Sequence, residues 1–173
     1  MVTRKQQFLW IGGVLGFVLG LDQILKAWIV RTIEPHAPYR GDVFFHFTHQ
    51  RNTGLMGGSF SDIPLVAYIA PVIAFFVLIY MYRQLSPESR VQSIAYGMIL
   101  GGALGNFIDR IRLGAVTDFF QFHFLFIPFD FPWKYYPAFN IADSGIICGV
   151  ILLFFTLNTA GTPEETTPEE NVS

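Results

Sequence analysis

The chain has 173 residues, of which 52% are hydrophobic and only 14% charged, and its mean hydropathy is +0.44. A typical soluble domain carries about 25% charged residues, so too few charges are present to cover a water-facing surface, and the composition places the chain among membrane proteins. A net charge of −2 without a basic stripe argues against nucleic acid as a partner, and the single cysteine, Cys148, excludes an intramolecular disulfide and any multi-cysteine metal site.

Four apolar runs cover about residues 8–30, 63–82, 91–109 and 141–158. Each approaches the ~20 residues with which a helix crosses ~30 Å of hydrocarbon. Backbone groups in lipid must be paired internally, so the runs read as helices. The first follows Arg4 and Lys5, as the apolar core of a signal peptide would. It is long, carries Asp22 and Lys26 near its end, and has no A-x-A site, so it reads as a retained helix.

Residues 31–62 form a long connection. Its segment Val43-Phe44-Phe45-His46-Phe47-Thr48 has strand-like residue types. Asn52-Thr53-Gly54-Leu55-Met56-Gly57-Gly58 suits turns or close backbone approach. The second run holds Pro64, suited to a first turn, and Pro71, expected to kink the helix. It is the most lipid-like run and reads as scaffold. Residues 83–90 form a short polar turn.

The third run spaces Gly97, Gly101 and Gly105 four apart; the first does so with Gly12, Gly16 and Gly20, and the fourth with Gly145 and Gly149. Small residues at that period let transmembrane helices approach closely, so these stripes read as packing faces. Residues 112–140 are dense in aromatics and are expected to lie along a membrane interface. Cys148 in the fourth run reads as a small buried apolar residue. The polar, acidic stretch 161–173 is expected to be disordered, leaving residues 1–160 as one membrane-embedded domain. The histidines His36, His46, His49 and His123 show no H-x-x-x-H spacing; a metal pair at His46 and His49 is the only combination their spacing offers.

With four helices, both long connections fall on one side and the termini on the other. That topology gathers the polar residues. Asp22 and Lys26 lie near the end of the first helix, Asn106, Asp109 and Arg110 end the third, and Asn140 and Asp143 open the fourth, all toward the face that also carries Asn52 and Asp118. Lys and Arg counts do not orient the bundle, because Arg31, Arg40, Arg51, Arg110, Arg112 and Lys134 lie on the long-connection side against Arg4, Lys5, Arg83 and Arg90 on the other. Asp22 and Lys26, acid four before base, read as a structural helix pair. Arg110 suits snorkelling, a carbonyl or a lipid head group. Asp118 and Asp143 have no basic residue within four positions. Two carboxylates at a dry boundary do not both ionise easily, and sharing a proton is what aspartic proteolysis needs. A proton relay in a transporter, helix capping by Asp143, or a non-enzymatic scaffold fits the same residues.

Five segments narrow these readings: Asp22-Gln23-Ile24-Leu25-Lys26, Asn52-Thr53-Gly54, Gly101-Gly102-Ala103-Leu104-Gly105-Asn106-Phe107-Ile108-Asp109-Arg110, Val116-Thr117-Asp118-Phe119 and Phe139-Asn140-Ile141-Ala142-Asp143-Ser144. In order and spacing the chain resembles bacterial lipoprotein signal peptidase (signal peptidase II), over about residues 8–158. The resemblance implies a mainly α, four-transmembrane-helix bundle of the bacterial inner membrane, with cytoplasmic termini, a small extracytoplasmic β-sheet platform from the 31–62 connection, and an active site near the extracytoplasmic face. It implies an aspartic endopeptidase with Asp118 and Asp143 as the catalytic dyad. Asn52, Gly54, Asn106, Arg110, Asn140 and Ala142 match positions that shape or support the substrate site, and Asp22, Lys26 and Asp109 match structural ones. The implied substrate is a diacylglyceryl-modified prolipoprotein, cut before the lipidated cysteine by a lipid-embedded monomer without metal or organic cofactor. The chain departs from the family after Gly54, where Leu55-Met56-Gly57-Gly58-Ser59-Phe60 replaces the usual small residues and aromatic; this bears on the loop over the site.

Overall fold

A computed structural model of the chain describes residues 3–36, 44–54, 64–86, 88–132 and 134–159. Four helices and two strands follow in the order α1 (Arg4–Thr32), β1 (Phe45–Asn52), α2 (Pro64–Gln84), α3 (Arg90–Leu113), β2 (Val116–Phe122) and α4 (Ile141–Thr159). The Leu55–Gly58 loop and the 161–173 tail lie outside the described residues.

Local signals set the helix ends. Thr3 and Gln6 form a reciprocal capping box, so α1 starts at Arg4, ahead of the apolar run. Ser89 caps α3, whose far end runs past Asp109 and Arg110 to Gly114 at φ 69°, a left-handed stop suited to glycine. α2 continues through Pro71. α1 and α3 are each long and apolar enough to cross a membrane.

The platform differs from the sequence expectation. β1 comes from the 31–62 connection, but its partner β2 comes from 112–140, and the two pair antiparallel. A lone strand leaves a row of unpaired backbone groups, so it recruits the nearest extended segment. That segment follows α3, whose end lies beside the end of α1.

Polarity is inverted relative to a soluble fold. Phe17, Phe76 and Phe155 are 69%, 63% and 63% exposed, whereas Asp22, Lys26, Asp109, Asp118 and Asn140 are all nearly inaccessible. α3 is the central helix. A Cβ built at Gly97 or Gly101 would lie 2.8 or 2.9 Å from the α1 carbonyls of Ile11 and Leu15, and one at Gly102 would collide with the α4 carbonyl of Ala142. The α1 stripe behaves otherwise: Gly12, Gly16 and Gly20 meet nothing within 4 Å among the described residues. Cys148 is also exposed rather than buried, because α4 turns Gly145 and Gly149 toward α3 and so presents Cys148 outward.

A buried ion cluster ties the bundle end together. Lys26 Nζ lies 2.8 Å from Asp22 Oδ2, 3.3 Å from Asp109 Oδ2 and 3.1 Å from Asn106 Oδ1. Its three donors therefore have three acceptors. Asp22 Oδ1 accepts from the Ala142 amide at 3.0 Å, at the start of α4, and Asp109 Oδ2 accepts from the Thr117 amide at 2.9 Å, at the start of β2. Gln23 Nε2 spans both acids and the Gly105 carbonyl at 3.2–3.4 Å.

Two outcomes follow for thermal unfolding in detergent. Gly102→Ala should destabilise by about 1–3 kcal/mol, the usual cost of overpacking, whereas Gly12→Ala should be neutral or mildly stabilising; equal effects would refute the packing assignment. Lys26→Met leaves two carboxylates uncompensated and should cost about 3–5 kcal/mol, with part of the loss recovered by adding Asp109→Asn.

Candidate active site

Asp118 sits in the middle of β2, and Asp143 in the first turn of α4. Every carboxylate oxygen of the two has a neutral donor. Asp118 Oδ1 accepts from Asn140 Nδ2 at 2.7 Å, and Asp118 Oδ2 accepts from Asn52 Nδ2 at 3.0 Å. Asp143 Oδ1 accepts from Asn106 Nδ2 at 2.8 Å, and Asp143 Oδ2 accepts from the Asn140 amide at 3.3 Å.

Asn140 joins the pair. It precedes α4 as its cap: its Oδ1 accepts from the Asp143 amide at 2.8 Å, while Asp143 reaches back to the Asn140 amide. This is a capping box with aspartate in the third position, and a carboxylate there is favoured by the helix dipole. The same Asn140 Nδ2 that holds Asp118 lies 3.1 Å from Asn106 Oδ1. Capping and pairing are thus compatible for Asp143, since each uses a different oxygen.

The second support of Asp118 depends on an irregularity. Phe47 pairs with Phe120 but Gln50 with Asp118, so Thr48 and His49 together oppose Phe119. This is a β-bulge. Simple alternation over the five residues from Phe47 to Asn52 would turn Asn52 to the other face of the sheet. Setting two residues against one absorbs the odd step and keeps Asn52 on the face of Phe47, Phe120 and Asp118, where the hydrogen bond forms.

Burial pushes the Asp118 carboxyl up to about 7, and the charge of Asp143 adds to the rise; the hydrogen bonds from Asn52 and Asn140, and the charge of Lys26, oppose it. Asp118 therefore holds a proton far more readily than an ordinary aspartate.

The remaining residues singled out in the sequence surround this pair. Arg110 Nη2 donates to the Gly54 carbonyl at 2.8 Å, and the Gly54 amide donates to Asn52 Oδ1 at 2.9 Å, which steadies the end of β1. Of the three partners open to Arg110, it takes a carbonyl. Ala142, fully buried, offers its amide to Asp22. Asp22, Lys26 and Asp109 lie behind the pair, and Lys26 reaches Asp143 through Asn106. Thr117 and Gln23 were given no part by sequence reasoning. Thr117 acts through its backbone, which leaves no trace in residue type, whereas Gln23, a polar residue next to Asp22 in an apolar run, carried a signal. His46 packs against His123, with ring centroids 4.6 Å apart, rather than against His49, whose Nδ1 lies 2.8 Å from the Ile33 carbonyl.

Known proteins resemble this chain in sequence and in fold. The family described as signal peptidase (SPase) II matches residues 14–159. A lipoprotein signal peptidase of Psychromonas ingrahamii is 33% identical over 154 residues, covering 86% of this chain and 83% of the relative. One from Caldanaerobacter subterraneus subsp. tengcongensis is 37% identical over 146 residues, covering 83% and 92%. Among solved structures, a bacterial membrane enzyme determined by the in meso method at 2.3 Å resolution has a TM-score of 0.69 at 28% identity, covering 91% of this chain and 92% of that one. A second, at 1.9 Å, has a TM-score of 0.67 at 30% identity, covering 85% and 91%. A family match across the bundle and both acidic segments, with relatives above 30% identity over most of their length, makes this chain a member of the signal peptidase II family.

Proposed function

We propose that this protein is an aspartic endopeptidase that removes signal peptides from diacylglyceryl-modified prolipoproteins, with Asp118 and Asp143 as its catalytic dyad. One observation carries the reading: one asparagine bridges the carboxylates of buried Asp118 and half-buried Asp143, and burial beside Asp143 pushes the Asp118 carboxyl up to about 7. In this mechanism the ionised carboxylate takes a proton from water as it attacks the scissile carbonyl. The protonated one gives its proton to the developing oxyanion; as the diol collapses, the carboxyl that took the water's proton passes it to the leaving amine, and the diol hydroxyl returns a proton to the other. Neutral asparagines suit this work, since they fix both groups without a formal charge that would hold either one ionised.

The inverted polarity supports a membrane-embedded four-helix bundle, with α2 and α4 spanning beside α1 and α3; in this reading the membrane is the bacterial inner membrane, the termini are cytoplasmic and the dyad lies near the extracytoplasmic face. The helices present apolar side chains to lipid, and a lipidated cysteine held in the same bilayer brings the preceding peptide bond to the dyad by proximity. The enzyme works as a single chain in this reading. A transporter relay has less support: the acids cluster at one end of the bundle, and the relatives are named as peptidases.

Asp118→Asn and Asp143→Asn should each lower cleavage of diacylated prolipoprotein by at least ~10²-fold while the protein still inserts; near-normal cleavage by either variant would refute the dyad. The pH profile gives a second check. A raised carboxyl pKa means the shared proton is lost as pH climbs through about 7, so the rate should fall on that alkaline side. Asn52→Ala removes a hydrogen bond that favours ionised Asp118, so it should move the alkaline limb to higher pH. A limb that stays fixed or moves down would contradict the assignment.

A further inference from the structure

The mechanism leaves one built feature unused. After β2 the chain forms a second hairpin, whose paired arms are residues 122–124 and 134–136. His123 bridges Tyr135, the Phe124 amide donates to the Lys134 carbonyl at 2.8 Å, and the Tyr136 amide donates to the Phe122 carbonyl at 2.9 Å. The hairpin is shaped by two tight turns, in which Ile127 donates to the Phe124 carbonyl and Lys134 to the Phe131 carbonyl, each at 3.1 Å. Such an ordered hairpin would normally turn polar side chains outward. Here Phe126 is 72% exposed and Phe129 65%. The ring of Phe126 touches Phe44 and Phe124, with centroids 6.0 and 6.1 Å apart, so the aromatic surface runs back without a break to the sheet. The acidic and basic residues of the hairpin, Asp130 and Lys134, neutralise each other at 2.8 Å.

We propose that this hairpin is an interfacial anchor whose tip, Phe126 and Phe129, enters the headgroup–acyl boundary of the bilayer on the side of the dyad. The occupant follows from level and charge. The hairpin base is fixed to β2 by paired Phe120 and Phe139 backbones, and α4 begins at Ile141, only five residues past Tyr136. β1 is held at the level of the last turns of α1 by Phe47 against Trp28, ring centroids 5.4 Å apart. The aromatic surface is therefore continuous with the lipid-facing surface of the helices, at the depth where phenylalanine, tyrosine and tryptophan gather at bilayer interfaces. Arg31, Arg51 and Arg112 are exposed at this same end, as phosphate headgroups require. Held from two sides, by helices through the bilayer and by a hairpin at its surface, the dyad keeps a fixed depth relative to a substrate whose cysteine is fixed by its acyl chains.

The inference rests on the membrane reading above, and its test does not use cleavage. The single native cysteine supplies an internal reference. Cys148 is exposed on α4, seven residues past its first and so about 10 Å from its start. An environment-sensitive nitrobenzoxadiazole probe is attached to Cys148 in the native chain. In a Cys148→Ser background it is attached instead to Phe129→Cys or Phe126→Cys. Each full-length protein is placed in phosphatidylcholine vesicles containing lipids spin-labelled near the headgroup or deep in the chain. Probes at 126 and 129 should show blue-shifted emission and lose intensity mainly to the shallow label, whereas the probe at Cys148 should lose it mainly to the deep one. Emission at both tip positions matching free dye in water, with quenching by aqueous iodide, would overturn the anchor while the Cys148 result still tests the membrane reading. A blue shift that needs a high protein-to-lipid ratio and ignores both spin labels would mean that a second copy covers the hairpin, and would also overturn it.

Discussion

A single ammonium group, Lys26, sets the arrangement at the active end of the bundle. Out of water it needs an acceptor for each of its donors, and it finds them in Asp22, Asp109 and Asn106. The partners are themselves committed to the backbone. Asp22 holds the Ala142 amide in the first turn of α4, and Asp109 holds the start of β2. One buried charge thus fixes, from behind, the two elements that carry Asp143 and Asp118. Burying ions is costly unless their geometry is complete, so the cluster has few ways to shift without losing most of its favourable energy.

In front of that cluster the chemistry is handed to asparagine. Asn52, Asn106 and Asn140 offer donors to both carboxylates and carry no formal charge. An arginine in the same place would hold each aspartate ionised. Amides leave burial and mutual repulsion to dominate, which is why Asp118 keeps a proton into the neutral range. Lys26 acts on the pair at one remove, through Asn106. Glycine completes the design: α4 can bring Asp143 this close to α3 because Gly102 leaves room for the Ala142 carbonyl.

Much of this was legible in the sequence. The apolar runs announced the helices, and their alternating direction gathered the acids at one end, because a charge in lipid is too costly to place without purpose. The five segments then singled out Asp118 and Asp143. What escaped depended on partners distant in the chain. The strand types near Phe45 announced β1 but not its partner, since pairing is a tertiary event and Val116–Phe122 reads merely as aromatic. Cys148 and the Gly12–Gly20 stripe were expected to be buried from composition alone, but which side of a helix meets its neighbour is settled by that neighbour. Thr117 contributes only peptide groups, and no residue type advertises those.

The bulge at Thr48 and His49 gives the sheet two halves with different tolerances. The half beyond it holds aromatic rings; the half before the site holds Asn52 against Asp118. Because the bulge absorbs one residue, losing either Thr48 or His49 would regularise the strand and still leave Asn52 facing the dyad. Losing Arg51, three residues or fewer downstream, would bring Thr53 into that place instead. Within one short strand, then, length is free to drift at the bulge and is counted residue by residue where Asn52 meets Asp118, so insertions and deletions among descendants of this chain are channelled toward the bulge.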